Sequence, residues 1–447
     1  VSATGVSLDV ARELRAICGD KHVVKWPERA NSGTEQVGWL AKLEPGSGSP
    51  PSRPIGVAPA SAEEVAAILR IANERGLRVF PAGGGEACVP LREHADLVLN
   101  TARLSEVEHY DHADLTVGVG AGTTVAQLNA MVGADHLMFA ADPPSPERCT
   151  IGGLLVTADH GPLRHGYGGV RDYCIGVRFV SGDGRRAKGG GRVVKNVAGY
   201  DLMKLLIGSY GTLAIITSAS FKLFPAPRAT RTFLAEFATA IEALQFRDRV
   251  MRSPLSPMCL ELVSPGARKL MRPELISDIW VMCVRAAGSD AVLARYRKEL
   301  GSAITRELDG DSESKMWRAI EDFPLRPESE SLWAPQLRIH VVVPPRDVMR
   351  VIEALEKAKW GDAIGIAMIG RVGVGHVLAT AWPINLEVPW PPGVVVDELK
   401  KSMGPGVNVR LEHAANPWPI APANLTSMQA VKHALDPNNV LRGRSLV

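Results

Sequence analysis

Three glycines in succession, Gly83-Gly84-Gly85, follow the apolar run Arg78-Val79-Phe80 in the segment Pro81-Ala-Gly-Gly-Gly-Glu-Ala-Cys-Val89. Glycine reaches positive φ at little steric cost and lets a ligand approach the backbone closely. Successive free N–H groups in such a turn form a concave nest for phosphate oxygens. A flexible strand-to-loop turn has the same composition, so the triple glycine alone leaves both readings open. It is not the Gly-x-Gly-x-x-Gly that opens a dinucleotide-binding helix. A second segment, Phe139-Ala-Ala-Asp-Pro-Pro-Ser-Pro-Glu-Arg-Cys-Thr-Ile-Gly-Gly153, joins rigid prolines, two hydroxyls (Ser145 and Thr150) and a glycine pair suited to backbone contact with a flat ligand. Farther on come His160-Gly-Pro-Leu-Arg164, Tyr167-Gly168, Arg171-Asp172 and Gly190-Gly-Arg-Val-Val-Lys-Asn-Val-Ala-Gly-Tyr-Asp201. The stretch closes with Gly208-Ser-Tyr-Gly-Thr212 ahead of an alternating apolar run.

The elements around these segments read as follows. Leu8–Ile17 has helical periodicity, and Ile55-Gly-Val57 reads as a short strand. Ser61-Ala-Glu-Glu64 is a capping box for a helix that runs to Arg75 and stops at Gly76. Strands are expected at 78–80, 97–100, 107–110, 115–119, 174–180 and 213–224. Thr124-x-x-Gln127 caps a helix through Val132. Residues 139–170 read as one long functional loop region. From Gly189 the expectation is a glycine turn, a short amphipathic helix, a second tight turn and a strand. After Pro225-Ala-Pro227 the pattern changes to long helical stretches, such as 291–300 and 348–358, alternating with strands at 280–284, 337–343 and 377–382. A helix over 426–434 ends the chain.

The bulk numbers exclude some classes. The 447 residues carry 46% hydrophobic and 22% charged residues, as a globular protein of two to three domains does. Basic residues number 51 against 48 acidic, and no dense basic run interleaved with aromatics offers a nucleic-acid surface. Six scattered cysteines without a Cys-x-x-Cys pair argue against a zinc ribbon or an iron–sulfur cluster in this chain and fit a reducing compartment. No apolar run spans a membrane and no basic-then-apolar leader opens the sequence, so the expected location is cytoplasmic, peripheral to a membrane only through partners.

Order and spacing then tie the segments together. A phosphate-type glycine loop after the second strand, Asp142-Pro-x-Ser145 leading to Thr150-Ile-Gly-Gly153, Tyr167-Gly168 followed by Arg171-Asp172, and Gly208-Ser-x-Gly-Thr-Leu213 together resemble the vanillyl-alcohol-oxidase/para-cresol-methylhydroxylase type of FAD-binding domain. The 190–201 stretch is most similar to the FAD-binding subunits of bacterial glycolate oxidase. The resemblance implies an α+β fold: a two-part FAD-binding domain over 53–226, preceded by an N-terminal helix and extended segment (1–52). An α+β substrate cap (227–405) and a C-terminal segment (406–447) packing back on the FAD domain complete it. It implies that Ala82, Gly83, Gly84, Gly85, Glu86, Ala87 and Cys88 hold the FAD pyrophosphate. Asp142, Pro143, Pro144, Ser145, Thr150, Gly152 and Gly153 line the ribityl and flavin portion, with Gly161, Tyr167, Gly168 and Asp172 in the same wall and Ile216 near the adenine. Gly208–Thr212 is expected to be a supporting turn. Some relatives attach FAD through a histidine after the glycines; Glu86-Ala87-Cys88 stands there instead, so FAD is expected to be non-covalent.

Oxidising a 2-hydroxy acid needs a cation for the carboxylate and a base for the hydroxyl proton. Arg338 and His340 share one face of a predicted strand, and His376 ends Gly370-Arg-Val-Gly-Val-Gly-His376, where catalytic relatives carry an essential histidine. These three are the catalytic candidates. Catalytic relatives also carry His-x-Gly-Asp-Gly-Asn and Glu-His-Gly segments that hold a metal. Here they are reduced to Val372-Gly-Val-Gly-His376 and Glu412-His413-Ala414-Ala415, and no metal is expected. The resemblance implies a small 2-hydroxy-acid substrate such as glycolate or D-lactate. It also implies a complex with a second FAD subunit and an iron–sulfur subunit. The alternative is a non-catalytic FAD-carrying electron-transfer or structural subunit whose sister chain performs the chemistry.

Overall fold

The computed structural model describes residues 8–25, 54–85, 95–192, 200–271, 278–323, 337–357, 364–383, 392–404, 407–412 and 424–443. The chain divides into two units. One comprises 1–160, 169–226 and 424–447; the other comprises 161–168 and 227–423.

The first unit holds two main sheets. In the four-stranded sheet the order is Val23–Lys25, Ile55–Val57, Leu97–Asn100, Val79–Ala82, and the last three strands are parallel. The helix Ala62–Arg75 links two of them. Ser61 Oγ accepts from the Glu64 amide at 3.1 Å, and the Glu64 carboxylate accepts from the Ala60 amide at 2.8 Å, which satisfies N–H groups that a helix start leaves open. Val65, Ile68, Leu69 and Ala72 recur on one face and are buried, and Gly76 at φ 64° ends the helix in the left-handed region.

The second sheet is antiparallel, in the order Val107–Asp111, Thr116–Gly120, Ala214–Lys222, Cys174–Ser181, Arg186–Gly190. Its middle strand, Ala214–Lys222, is buried on both faces, as its near-continuous small and apolar run requires. Between Ile216 and Ser218 the register slips, leaving Thr217 as a bulge. The Thr217 carbonyl accepts from the Ala121 amide at 2.9 Å, which fixes the 121–124 turn beside the strand.

Two local expectations change. Residues 139–170 are not one loop: they contain the helices Ile151–Thr157, Arg164–Tyr167 and Val170–Tyr173. The first is capped by Thr150, whose Oγ1 accepts from the Gly153 amide at 3.2 Å, and it is anchored by buried Ile151, Leu154 and Leu155. Two glycines in its first turn lower its helix propensity and mask it in the sequence. Residues 186–190 form a strand where a glycine turn was expected to begin at Gly189. That strand stops at Gly190, φ 70°, where a Cβ would lie 2.2 Å from the Ile175 carbonyl oxygen.

The second unit is one eight-stranded antiparallel sheet in the order Arg306–Leu308, Thr230–Phe237, Trp280–Ala287, Cys259–Val263, Ile364–Arg371, His376–Pro383, Leu337–Val342, Asn408–Glu412. Helices including Ala240–Arg252, Asp290–Leu300 and Val348–Lys357 bury their apolar stripes with one set of strand residues, among them Leu260, Leu262, Ile339, Val341, Val377, Ala379, Val409 and Leu411. Alternation sends their neighbours Glu261, His340, Leu378 and Arg410 to the opposite face.

The helix Leu425–Leu435 returns to the first unit and is pinned there by a buried ion pair. Lys432 Nζ donates to Asp436, to the Thr212 carbonyl at 2.8 Å and to the Leu441 carbonyl at 3.1 Å. The Asp436 carboxylate also accepts from the amides of Val440 and Leu441 at 2.9 and 2.8 Å. Asp436→Ala strands Lys432 in this site. Loss of one partner of a buried pair costs about 3 kcal/mol or more, so denaturant unfolding of the variant is expected at clearly lower concentration, with Asp436→Asn intermediate. An unfolding midpoint equal to wild type contradicts the assigned role of the pair.

Candidate functional site

In the first unit the glycine loop is built against the proline-rich loop. A Cβ at Gly83 would stand 2.3 Å from Thr150 Oγ1, and one at Gly84 would stand 1.7 Å from the Arg148 carbonyl oxygen. These contacts leave room for no side chain. Glycine is required at Gly84 by the neighbouring backbone. Gly85 sits at φ 90°, which other residues reach only with strain. Asn100 Nδ2 donates to the Gly83 carbonyl at 3.1 Å, and the Thr101 amide donates to the Ala82 carbonyl at 2.9 Å. The amides of Gly83, Gly84 and Gly85 make no hydrogen bond to another described residue. Three unspent donors in a glycine-lined turn fit a pyrophosphate. Glu86, Ala87 and Cys88 lie outside the described residues.

The facing loop is equally determined. Ser145 adopts φ 46°, and its carbonyl accepts from the amides of Arg148 and Cys149 at 2.9 and 2.8 Å. The amides of Ile151 and Gly152 donate to the carbonyls of Thr123 and Ala121, both at 2.8 Å. Pro143 is buried, and Asp142, Pro144 and Ser145 are half-buried. Behind this wall the turn at 208–212 supports the strand that follows it. Gly208 and Tyr210 donate to the carbonyls of Leu155 and Val156 at 2.9 and 2.8 Å, and a Cβ at Gly211 would meet Pro81 at 2.5 Å. Asp172 is exposed, and its carboxylate accepts from the Gly169 amide at 2.8 Å at the start of a helical turn. The Ile216 side chain packs in the core of the antiparallel sheet, registered opposite Phe179. Lys195 lies outside the described residues, and Asp201 pairs with Lys204 at 3.2 Å.

Gly161, Tyr167 and Gly168 group with the second unit. The Gly166 amide donates to the Met258 carbonyl at 3.1 Å, and Tyr167 is near Cys259 and Arg285. Burial, then the Cys259 thiol, raises the Tyr167 hydroxyl pKa, which Arg285 opposes. His165 lies against Gly373, where a Cβ would come within 2.2 Å of the ring. Burial lowers the His165 pKa, and its Nδ1 has no hydrogen-bond partner among the described residues.

On the face of the second unit's sheet opposite its apolar set, the sequence candidates His340 and His376 come together with two arginines that sequence reasoning did not single out. The two imidazoles stack with centroids 5.6 Å apart and planes inclined by 24°. Arg371 Nη1 lies 3.2 Å from His376 Nδ1. Arg410 Nη2 lies 3.0 and 3.1 Å from the two ring nitrogens of His340. All four side chains are buried, Arg371 at 1% exposure. Arg338 is half-buried on the same face, registered opposite Thr380 and Glu412. The row Arg410, His340, His376, Arg371 is a concentrated hydrogen-bond source for an anion. One signal for Arg410 was present in the sequence, a lone cation flanked by Val409 and Leu411 in an apolar alternation. Among the described residues no group of three His, Cys, Asp or Glu side chains gathers as for a metal ion.

The glycine loop generates a test. Gly84→Val would push a branched side chain into the Arg148 carbonyl and separate the two loops. The purified variant is expected to be colourless, read as the ratio of flavin to protein absorbance. A variant with stoichiometric flavin contradicts the cradle.

Comparison with known proteins agrees with this geometry. Residues 54–190 match the model of an FAD binding domain. A D-lactate dehydrogenase of Archaeoglobus fulgidus is 39% identical over 218 residues, 47% of this chain and 47% of that protein, so the match spans about half of its length. Glycolate oxidase subunit GlcD of Bacillus subtilis is 26% identical over 411 residues, covering 86% of this chain and 87% of the subunit. Among solved structures, an alkyldihydroxyacetonephosphate synthase superposes with a TM-score of 0.74 at 17% identity, covering 100% of this chain and 86% of that one, which is a likeness of fold. Residues 54–190 are therefore an FAD binding domain, in a chain similar to a glycolate oxidase subunit and to a D-lactate dehydrogenase.

Proposed function

We propose that this chain is an FAD-dependent oxidoreductase that converts a small 2-hydroxy acid to the 2-oxo acid, working as a subunit of a complex. The carrying observation is the buried row Arg410–His340–His376–Arg371 on the sheet of the second unit, in a chain that also carries an FAD binding domain. Bound FAD supplies a two-electron acceptor for the hydride from C2, while the hydroxyl proton leaves to a base and the C2–O bond becomes a carbonyl. The protein's own work is to hold the acid by its carboxylate and exclude water from the reacting carbon. Arg338, His340 and His376 are the residues proposed to touch substrate, with Arg410 and Arg371 completing the cationic face. The flavin is held non-covalently by the 82–88 and 142–153 segments. Electrons pass to a partner. A GlcD relative is itself named a subunit, which supports a multi-subunit assembly; the companions in this proposal are a second FAD subunit and an iron–sulfur subunit, since the scattered cysteines provide no cluster-binding motif in this chain.

A second reading is an FAD-carrying subunit whose sister chain does the chemistry. The observation in its favour is the reduced segment Val372-Gly373-Val374-Gly375-His376. Anaerobic mixing of the purified chain with glycolate or D-lactate separates the two. The enzyme reading expects bleaching of the visible flavin band, and an unchanged spectrum with a panel of 2-hydroxy acids favours the second reading.

Two further outcomes are expected. Acid precipitation releases yellow FAD into the supernatant; colour retained in the pellet refutes non-covalent binding. Arg338→Ala retains FAD but loses a charge-assisted contact of about 2–4 kcal/mol, a fall of roughly 30- to 1000-fold in kcat/KM. Near-normal kinetics in that variant remove Arg338 from the site.

A further inference from the structure

Residues 440–443 run beside the strand that carries the glycine loop. Leu441 forms a parallel bridge with Val79. The Val79 amide donates to the Val440 carbonyl at 2.8 Å, and the Arg442 amide donates to the Val79 carbonyl at 2.7 Å. A Cβ at Gly443 would lie 2.0 Å from the Tyr210 carbonyl oxygen and close to Gly211, which itself packs on Pro81. The segment therefore follows Val79–Ala82 in the same direction, toward Gly83, Gly84 and Gly85.

Arg442 stands there without a counter-charge. It is half-buried, and its Nε is shut off from solvent with no acceptor. Its guanidinium has no hydrogen-bond or ion-pair partner among the described residues. The carboxylate of this turn, Asp436, is committed to Lys432 and to the amides of Val440 and Leu441. Burial lowers the Lys432 pKa, Asp436 opposes that shift, and the charge of Arg442 lowers it again, which puts the two cations close together. Two cations beside one carboxylate leave a surplus positive charge, and a charge withdrawn from water is costly until it is paired. Alternation gives the side chain its direction. Val79 and Leu441 join Leu97 and Leu99 in the apolar core, so Arg442 turns to the other face. From that face Asn100, registered opposite Ala82, donates to the Gly83 carbonyl at 3.1 Å. Arg442 lies level with Phe80, three residues or roughly 10 Å of strand short of Gly83.

We propose that Arg442 is a cofactor-binding residue whose guanidinium supplies positive charge to the FAD pyrophosphate cradled by the amides of Gly83, Gly84 and Gly85. The inference rests on the FAD binding domain and not on the 2-hydroxy-acid reading. Backbone amides fix the position of phosphate oxygens but carry no net charge. A guanidinium adds the charge and a planar fork of donors that matches phosphate. The segment after the last helix then completes the cofactor site, and the Lys432–Asp436 pair that pins this segment also sets the place of Arg442.

The test is FAD binding to the flavin-stripped full chain, followed by quenching of flavin fluorescence. Riboflavin serves as a probe without phosphate, and ADP, as a competitor, carries the diphosphate without the flavin. Arg442→Gln is expected to raise the FAD Kd roughly tenfold, as loss of one hydrogen bond to a charged group does. ADP competition weakens by a similar factor, while riboflavin binds as it does to wild type. Arg442→Lys restores part of the loss. Added salt weakens FAD binding less steeply in Arg442→Gln than in wild type. Denaturant unfolding of the flavin-free proteins excludes a merely structural role, because removing an unpaired cation leaves the midpoint of Arg442→Gln equal to wild type or higher. Unchanged affinity for FAD and ADP, an equal loss for riboflavin, or a flavin-free variant that unfolds at clearly lower denaturant overturns the proposal.

Discussion

The approach of Gly84 to the carbonyl of Arg148 is the contact on which the flavin-binding unit depends. It joins the end of a parallel strand to a loop whose own shape is set by Ser145 at positive φ and by Thr150 capping the next helix. The contact admits no Cβ. It therefore closes the turn in a way that leaves three consecutive amides pointing away from the protein's own acceptors among the described residues. Unspent, half-buried donors are open to a ligand oxygen. A turn set by packing alone thus offers the open donors that the proposed pyrophosphate site needs.

The second unit solves a different problem with the same economy. A sheet has two faces, and strict alternation along 337–342, 376–383 and 408–412 commits one of them to leucine, isoleucine and valine. The residues in between are then free to be polar, and three of them, His340, His376 and Arg410, join Arg371 of the strand Ile364–Arg371 in the arginine–histidine row. Arg371 and Arg410 each lie beside an imidazole, and buried Glu261 stands on the neighbouring strand next to the Leu262–Gly370 pair. The arrangement suits recognition of a small anion by charge-assisted hydrogen bonds, with the position of each donor set by the sheet register.

Much of this was legible in the residues. Ser61 and Glu64, Thr124 and Gln127, and Gly76 mark helix ends because capping chemistry is local, and the structure has all three. The strand around 213–224 is legible from its apolar run, but the bulge at Thr217 is not, because a register slip belongs to the pairing of two strands. The helix at 151–157 was hidden behind its own glycines; burial of Ile151, Leu154 and Leu155 stabilises what propensity alone disfavours. His340 and His376 stood out by type, but the arginines beside them did not. Arg371 and Arg410 lie on other strands, and only the sheet order Ile364–Arg371, His376–Pro383, Leu337–Val342, Asn408–Glu412 brings them to the two rings.

The account's central claim is that a hydride leaves C2 of a 2-hydroxy acid for the flavin held by this chain. Anaerobic stopped-flow reduction with protiated and C2-deuterated acid tests it most directly. The account predicts flavin reduction with both substrates and a several-fold slower rate for the deuterated one. Flavin that is reduced at equal rates by both, or by neither, contradicts it.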